Sequence, residues 1–89
     1  MVLPTVLFVC ARNAGASLMA EAYLNTIADG AVRAFSAGIE PAGRADPRAL
    51  RAIAAAGVPT DGLAPKPIEL FAMPTAPEPD VLVLLSRQA

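Results

Sequence analysis

Thr5-Val6-Leu7-Phe8-Val9-Cys10-Ala11-Arg12-Asn13-Ala14-Gly15-Ala16-Ser17 changes character once, at Cys10. The residues before it are β-branched and continuously apolar, the pattern of a strand buried on both faces of a parallel sheet, and therefore of a central strand. The residues after it are small and read as a loop. From Ser17 the spacing of Leu18, Ala22 and Ile27, with Met19 and Tyr23, predicts an amphipathic helix ending near Asp29-Gly30, with Gly30 as its C-terminal cap. A strand that runs through a small-residue loop straight into a helix gathers successive backbone N–H groups and the positive helix terminus at one point. That geometry binds oxyanions.

Outward from this stretch the pattern repeats. Ala31 to Ser36 reads as a second strand, and Ala37-Gly38 as the turn after it. Asp46 is placed to cap a helix with Pro47 in its first position, and Leu50, Ile53 and Ala54 are expected to face inward until Gly57 stops the helix. Pro59, Pro65, Pro67, Pro74, Pro77 and Pro79 then leave room only for a short helical piece at about Ile68 to Met73. Val81 to Leu85 is a second continuous apolar run and reads as a third buried strand, with Asp80 before it as a cap or turn residue. Alternating strands and helices imply an α/β fold with a parallel sheet and right-handed crossovers. A sheet of three strands leaves an apolar edge, so the chain reads as the front part of a larger doubly wound domain, or as one completed by a partner, and a homo-oligomer is expected.

Length and composition narrow the function. Eighty-nine residues allow a single domain, residues 1–89. A net charge of −1 gives no broad positive field for nucleic acid. One cysteine and no histidine exclude an internal disulfide and argue against a metal site. The apolar opening Val6 to Cys10 is too short to span a membrane, and no signal-peptide pattern precedes it, so a cytoplasmic protein with a reduced thiol is expected.

On spacing alone Cys10 has two readings: a small hydrophobe packed in the core, or a nucleophile whose thiolate is favoured by the surrounding amides. Its place at the carboxyl end of the first strand, where open α/β sheets bind ligands, leaves the two balanced. Arg12 is read as an ordinary solvated side chain that also keeps a positive charge in the loop.

Four segments in order resemble a known family. Val6-Leu7-Phe8-Val9-Cys10-x-x-Asn13-Ala14-Gly15-x-Ser17-x-Met19-Ala20-Glu21-Ala22 looks like the opening of the low-molecular-weight protein tyrosine phosphatase and thiol-linked arsenate reductase superfamily. Ser36-Ala37-Gly38-x-Glu40-Pro41-Ala42-Gly43 with Pro47-x-Ala49-Leu50 resembles its second strand and the turn and helix that follow. Gly62-Leu63-x-x-Lys66, Glu69-x-Phe71-Ala72 and Ala76-Pro77-x-x-Asp80 are similar to the arsenate reductase branch. The resemblance covers essentially the whole chain. It implies a three-layer, Rossmann-like α/β/α fold, here ending after the third strand, with a phosphate-binding loop (P-loop) at residues 11–17.

The same resemblance implies the roles of individual residues. Cys10 would attack arsenate or a phosphoester while Ala11, Arg12, Asn13, Ala14, Gly15, Ala16 and Ser17 form the cradle, Asn13 bracing it and Ser17 donating a hydrogen bond to the thiolate. The family carries an Arg six positions after the Cys, and this chain has Ala16 there. Reductases pass the oxidised adduct to a second Cys after the third strand or to a small thiol, and the matching position is Ser86. An arsenate reductase built on these residues therefore binds no cofactor and needs an external reductant: thioredoxin, glutaredoxin or a low-molecular-weight thiol. Two alternatives stand beside it, a catalytically inactive relative that binds anions or assembles, and a tyrosine phosphatase.

Overall fold

The computed structural model describes residues 3–85. β1 (Thr5–Cys10), α1 (Ala16–Ala28), β2 (Arg33–Gly38), α2 (Pro47–Ala55), a 3-10 helix (Ile68–Ala72) and β3 (Val81–Leu84) follow in that order. Both neighbours of β1 run parallel to it, in the order β2-β1-β3. β1 is central, as its uninterrupted apolar run predicts, and the α/β class with a parallel sheet stands.

The register assigns the faces. Leu7 lies opposite Phe35 and Leu82, and Val9 opposite Ala37 and Leu84. Because side chains alternate along a strand, these share one face. There Leu7, Val9 and Ala37 are buried beneath Phe35, Ile68 and Phe71, so the 3-10 helix is the layer on this side. The Phe35 and Phe71 rings meet edge to face at 5.8 Å.

The other face belongs to α1. The Asn25 side chain donates to the Ala34 carbonyl at 3.0 Å and accepts from the Ala34 N–H at 2.8 Å, standing in for a neighbouring strand at the outer edge of β2. Ser36 donates to the Glu21 carboxylate from the same face. α2 packs chiefly against α1, through Ala22, Ile53 and Val58 flanked by Met19, Tyr23 and Leu63. Asp46 caps α2 as expected, its Oδ1 accepting from the Arg48 N–H at 2.9 Å, with Pro47 opening the helix.

Several expectations need correction. Ile27 is 77% exposed; α1 buries Ser17, Leu18 and Ala22 instead. In α2 the inward residues are Ala49 and Ile53, while Leu50 is half-buried and Ala54 exposed. β2 starts and ends two residues later than expected: Asp29 and Gly30 take left-handed conformations and the Ala31 N–H bonds back to Ala28, so the chain is still turning there. Ala37 and Gly38 consequently pair with Val9 and Cys10 rather than forming a turn.

β1 is also less enclosed than its sequence implies, since Val6 and Phe8 are only half-buried. β3 departs most. Val81, Leu82 and Leu84 are 51%, 53% and 70% exposed, and Val83 is only half-buried. Asp80 is a clasp rather than a simple turn: its N–H donates to the Thr5 carbonyl and its Oδ2 accepts from the Thr5 N–H, at 2.8 and 2.7 Å.

Ile53 is fully buried in the seam between the two helices. Ile53→Ala is expected to lower stability by about 2–5 kcal/mol, read by urea denaturation, because a small core has little capacity to close over the lost methyls. A loss below about 1 kcal/mol would show that the seam is not tightly packed.

Candidate functional site

The loop between β1 and α1 is shaped by its carbonyls. The Cys10, Ala11, Arg12 and Ala14 carbonyls accept from the N–H groups of Ile39, Glu40, Ala42 and Asp46 at 3.2, 2.8, 2.9 and 2.8 Å, and the Gly15 carbonyl accepts from Met19 at 2.9 Å. In a trans peptide the carbonyl of one residue and the N–H of the next point in opposite directions. Turning those five carbonyls outward therefore turns the N–H groups of Ala11, Arg12, Asn13, Gly15 and Ala16 the other way. The Asn13 N–H shows the result directly, donating to Cys10 Sγ at 3.3 Å. Among the described residues, the N–H groups of Ala11, Arg12, Gly15 and Ala16 donate to no backbone carbonyl.

Cys10 ends β1 half-buried at the foot of this loop. Its Sγ lies 2.9 Å from Ser17 Oγ, and Ser17 is fully buried in the first turn of α1. Proton positions follow from the neighbours. The Lys66 N–H can only donate, so the Asn13 atom it meets at 2.8 Å is Oδ1. Asn13 Nδ2 then faces Ser17 Oγ at 2.8 Å and donates to it, leaving the Ser17 proton for the sulfur. Sγ thus accepts from both Asn13 N–H and Ser17 Oγ–H.

Asn13 is the hub of the loop. It is fully buried and sits at φ 51°, a left-handed conformation that asparagine tolerates better than most residues. Gly38 makes the close approach possible: a Cβ there would stand 2.9 Å from Asn13 Cβ and 3.1 Å from the Ala11 carbonyl oxygen. Lys66 ties the arrangement to the rest of the fold. Its carbonyl accepts from the Gly38 N–H at 2.8 Å, and its ammonium lies 3.7 Å from Glu21 and 3.5 Å from Ser36 Oγ.

A cavity of about 360 Å³ opens beside the sulfur, lined by Cys10, Arg12, Ala14, Gly15 and Ala16 of the strand and loop and by Asp46, Arg48 and Leu85 from elsewhere. Arg48 bonds Asp46 at two points, Nε to Oδ1 at 3.3 Å and Nη2 to Oδ2 at 3.1 Å. These hydrogen bonds hold the Asp46 carboxyl below its ordinary range and raise Arg48. The α2 cap is therefore fully formed above the usual carboxylate range and is lost only as pH falls through the lowered value. A second hollow, of about 510 Å³ and including Arg44, Leu50 and Leu63 in its wall, contains no nucleophilic side chain.

The structure brings Cys10, Asn13 and Ser17 together, and places Arg12, Ala14, Gly15 and Ala16 around the same opening, while Ala11 belongs to the loop without lining that cavity. Arg12 is exposed at the rim, as is the Ala16 methyl. Ser86 lies outside the described residues. The sequence signal did not reach Asp46 and Arg48 as lining residues, or Lys66 as the anchor of Asn13, because each acts across the fold. Among the described residues there is no cluster of three or more potential metal ligands, and no helix long and apolar enough to cross a membrane.

A cysteine at the end of a central parallel strand, under a loop that bonds five of its carbonyls away from the sulfur, defines a class of α/β proteins built around that loop. The chain belongs to the low-molecular-weight phosphotyrosine protein phosphatase family, whose model matches residues 5–89. An arsenate reductase in the phosphate-binding state is 34% identical with a TM-score of 0.81, over 93% of this chain and 60% of that one. The thioredoxin-dependent arsenate reductase of Corynebacterium glutamicum is 28% identical with a TM-score of 0.77, over 98% and 51%. A low-molecular-weight protein tyrosine phosphatase from T. tengcongensis, 24% identical with a TM-score of 0.78 over 93% and 58%, shares the fold. The chain thus spans between half and three-fifths of the length of these structures. No curated protein matches it.

Asn13→Ala is expected to cost on the order of 3 kcal/mol, because it strands the Lys66 N–H and removes the donor to Ser17 Oγ inside the protein. Urea denaturation measures the loss, and iodoacetamide alkylation of Cys10 at neutral pH should slow in parallel. An Asn13→Ala protein with unchanged stability and thiol reactivity would show that Asn13 does not brace the loop.

Proposed function

We propose that this chain carries the oxyanion-binding half of a thiol-dependent arsenate reductase, with Cys10 as nucleophile. The observation that carries the reading is the pair of donors on Sγ, from Asn13 N–H and Ser17 Oγ, beneath a loop with its amides turned toward the sulfur. Its likeness to an arsenate reductase in the phosphate-binding state supports arsenate as the substrate.

The reaction divides into three displacements. The Cys10 thiolate attacks arsenic(V), forming a sulfur–arsenic bond as an arsenate oxygen leaves as water after protonation. The loop amides hold the remaining oxygens and offset their charge. An external thiolate then attacks Cys10 Sγ, the sulfur–arsenic pair stays on arsenic, and arsenite leaves with a mixed disulfide on Cys10. A second thiol releases the reduced Cys10. The reductant is thioredoxin, glutaredoxin or a small thiol, since Cys10 is the chain's one cysteine.

A second reading, a non-catalytic relative that binds an anion, is favoured by Ala16, which gives the loop no cationic side chain where the family has arginine. Phosphatase chemistry has less support. Asp46 is the one carboxylate among the described residues that line the Cys10 cavity, and its bonds to Arg48 keep it ionised, so it cannot serve as a general acid at neutral pH.

Arsenate and phosphate are expected to protect Cys10 from alkylation, and arsenite to form only when a thiol reductant is supplied, with Cys10→Ser abolishing both the modification and the product. Protection without arsenite would assign the chain to the binding reading. Absence of protection by either anion would remove the oxyanion site altogether.

A further inference from the structure

The loop amides carry only partial charges, yet arsenate and phosphate near neutral pH carry up to two negative charges. A cradle for them gains from a full positive charge at its mouth. Position 16 lines the cavity with a methyl group. Arg48 lines the same cavity. Arg48 stands in the first turn of α2, and that turn is joined to the loop itself, because the Asp46 N–H donates to the Ala14 carbonyl at 2.8 Å.

We infer that Arg48, carried on α2 and tethered by Asp46, supplies the side-chain cation of the Cys10 cradle and favours tetrahedral dianions over monoanions. Three observations carry this. Arg48 lines the same cavity as Cys10, Gly15 and Ala16. Its side chain is 83% exposed, so it can turn from Asp46 toward an occupant without leaving a packed site. Its present partner is a carboxylate on the wall of that cavity, 31% exposed, which Arg48 neutralises by a two-point bond.

A planar guanidinium is suited to exchange one pair of oxygens for another, so an incoming oxyanion competes with Asp46 for the same fork. Asp46 thereby sets the threshold. It holds the cation near the mouth of the empty cradle and releases it only to an anion of higher charge. Arg12, exposed on the loop itself, adds to the field without such a tether.

The inference rests on the oxyanion reading of the cradle, and the test separates the two. Protection of Cys10 from iodoacetamide by inorganic phosphate gives a half-protection concentration for each variant. Arg48→Met is expected to raise it about tenfold, and Arg48→Lys to recover part of the loss, since a lysine keeps the charge without the fork. Asp46→Asn, which keeps an oxygen for the α2 cap, should lower it by removing the competitor. Asp46→Asn combined with Arg48→Met should behave like Arg48→Met without most of that gain. For Arg48→Met the loss should be larger at pH 8, where phosphate is mostly the dianion, than at pH 6. Unchanged protection in Arg48→Met, with the parent protein protected, would overturn the role of Arg48 and leave the oxyanion site standing. No protection of the parent protein would overturn both.

Discussion

The site depends on the direction of five peptide planes. Ile39, Glu40, Ala42 and Asp46 take the loop carbonyls on the outside, and Met19 takes that of Gly15. The inward amides are the necessary complement of those bonds, because each peptide unit is rigid. Segment 39–46 is therefore the external half of the cradle, although Asp46 alone among its residues lines the cavity beside the sulfur. Apart from Asn13, whose left-handed conformation suits asparagine, the loop residues have little intrinsic preference for this curl. The fold imposes it.

The same constraint explains the polar residues buried around the loop. Asn13, Ser17 and Ser36 are fully buried, and each has a partner. Asn13 is held from one side by Lys66 N–H and holds Ser17 on the other, so the position of the sulfur's donor is set by a residue 53 positions along the chain. Lys66 in turn is fixed by Gly38, Glu21 and Ser36, that is, by the end of β2 and by α1. Pairing these groups avoids the cost of a buried unsatisfied donor and keeps the loop in one conformation without any bound molecule.

How much of this could be read from the sequence follows from the range of each interaction. β1, its loop and α1 were legible because an apolar run, a string of small residues and a helical spacing are local signals. Asp46-Pro47 marked the start of α2 for the same reason. The faces were less legible: Ile27 fits the helical period but is exposed, and β3 reads as a buried strand although Val81, Leu82 and Leu84 are exposed. Cys10, Asn13 and Ser17 were found through the family pattern. Gly38 and Lys66 stand in the family pattern, but Gly38 as a close-approach residue, Lys66 as the anchor of Asn13 and Arg48 at the cavity are products of tertiary placement.

Phosphate titration of an ¹⁵N-labelled chain, followed amide by amide, tests the inward-facing loop most directly. The Ala11, Arg12, Asn13, Gly15 and Ala16 resonances should move together along one saturable curve, while those of Gly57 and Gly62, in turns away from the loop, stay in place. Loop resonances that remain fixed while others drift across the surface would contradict a cradle made by outward-held carbonyls.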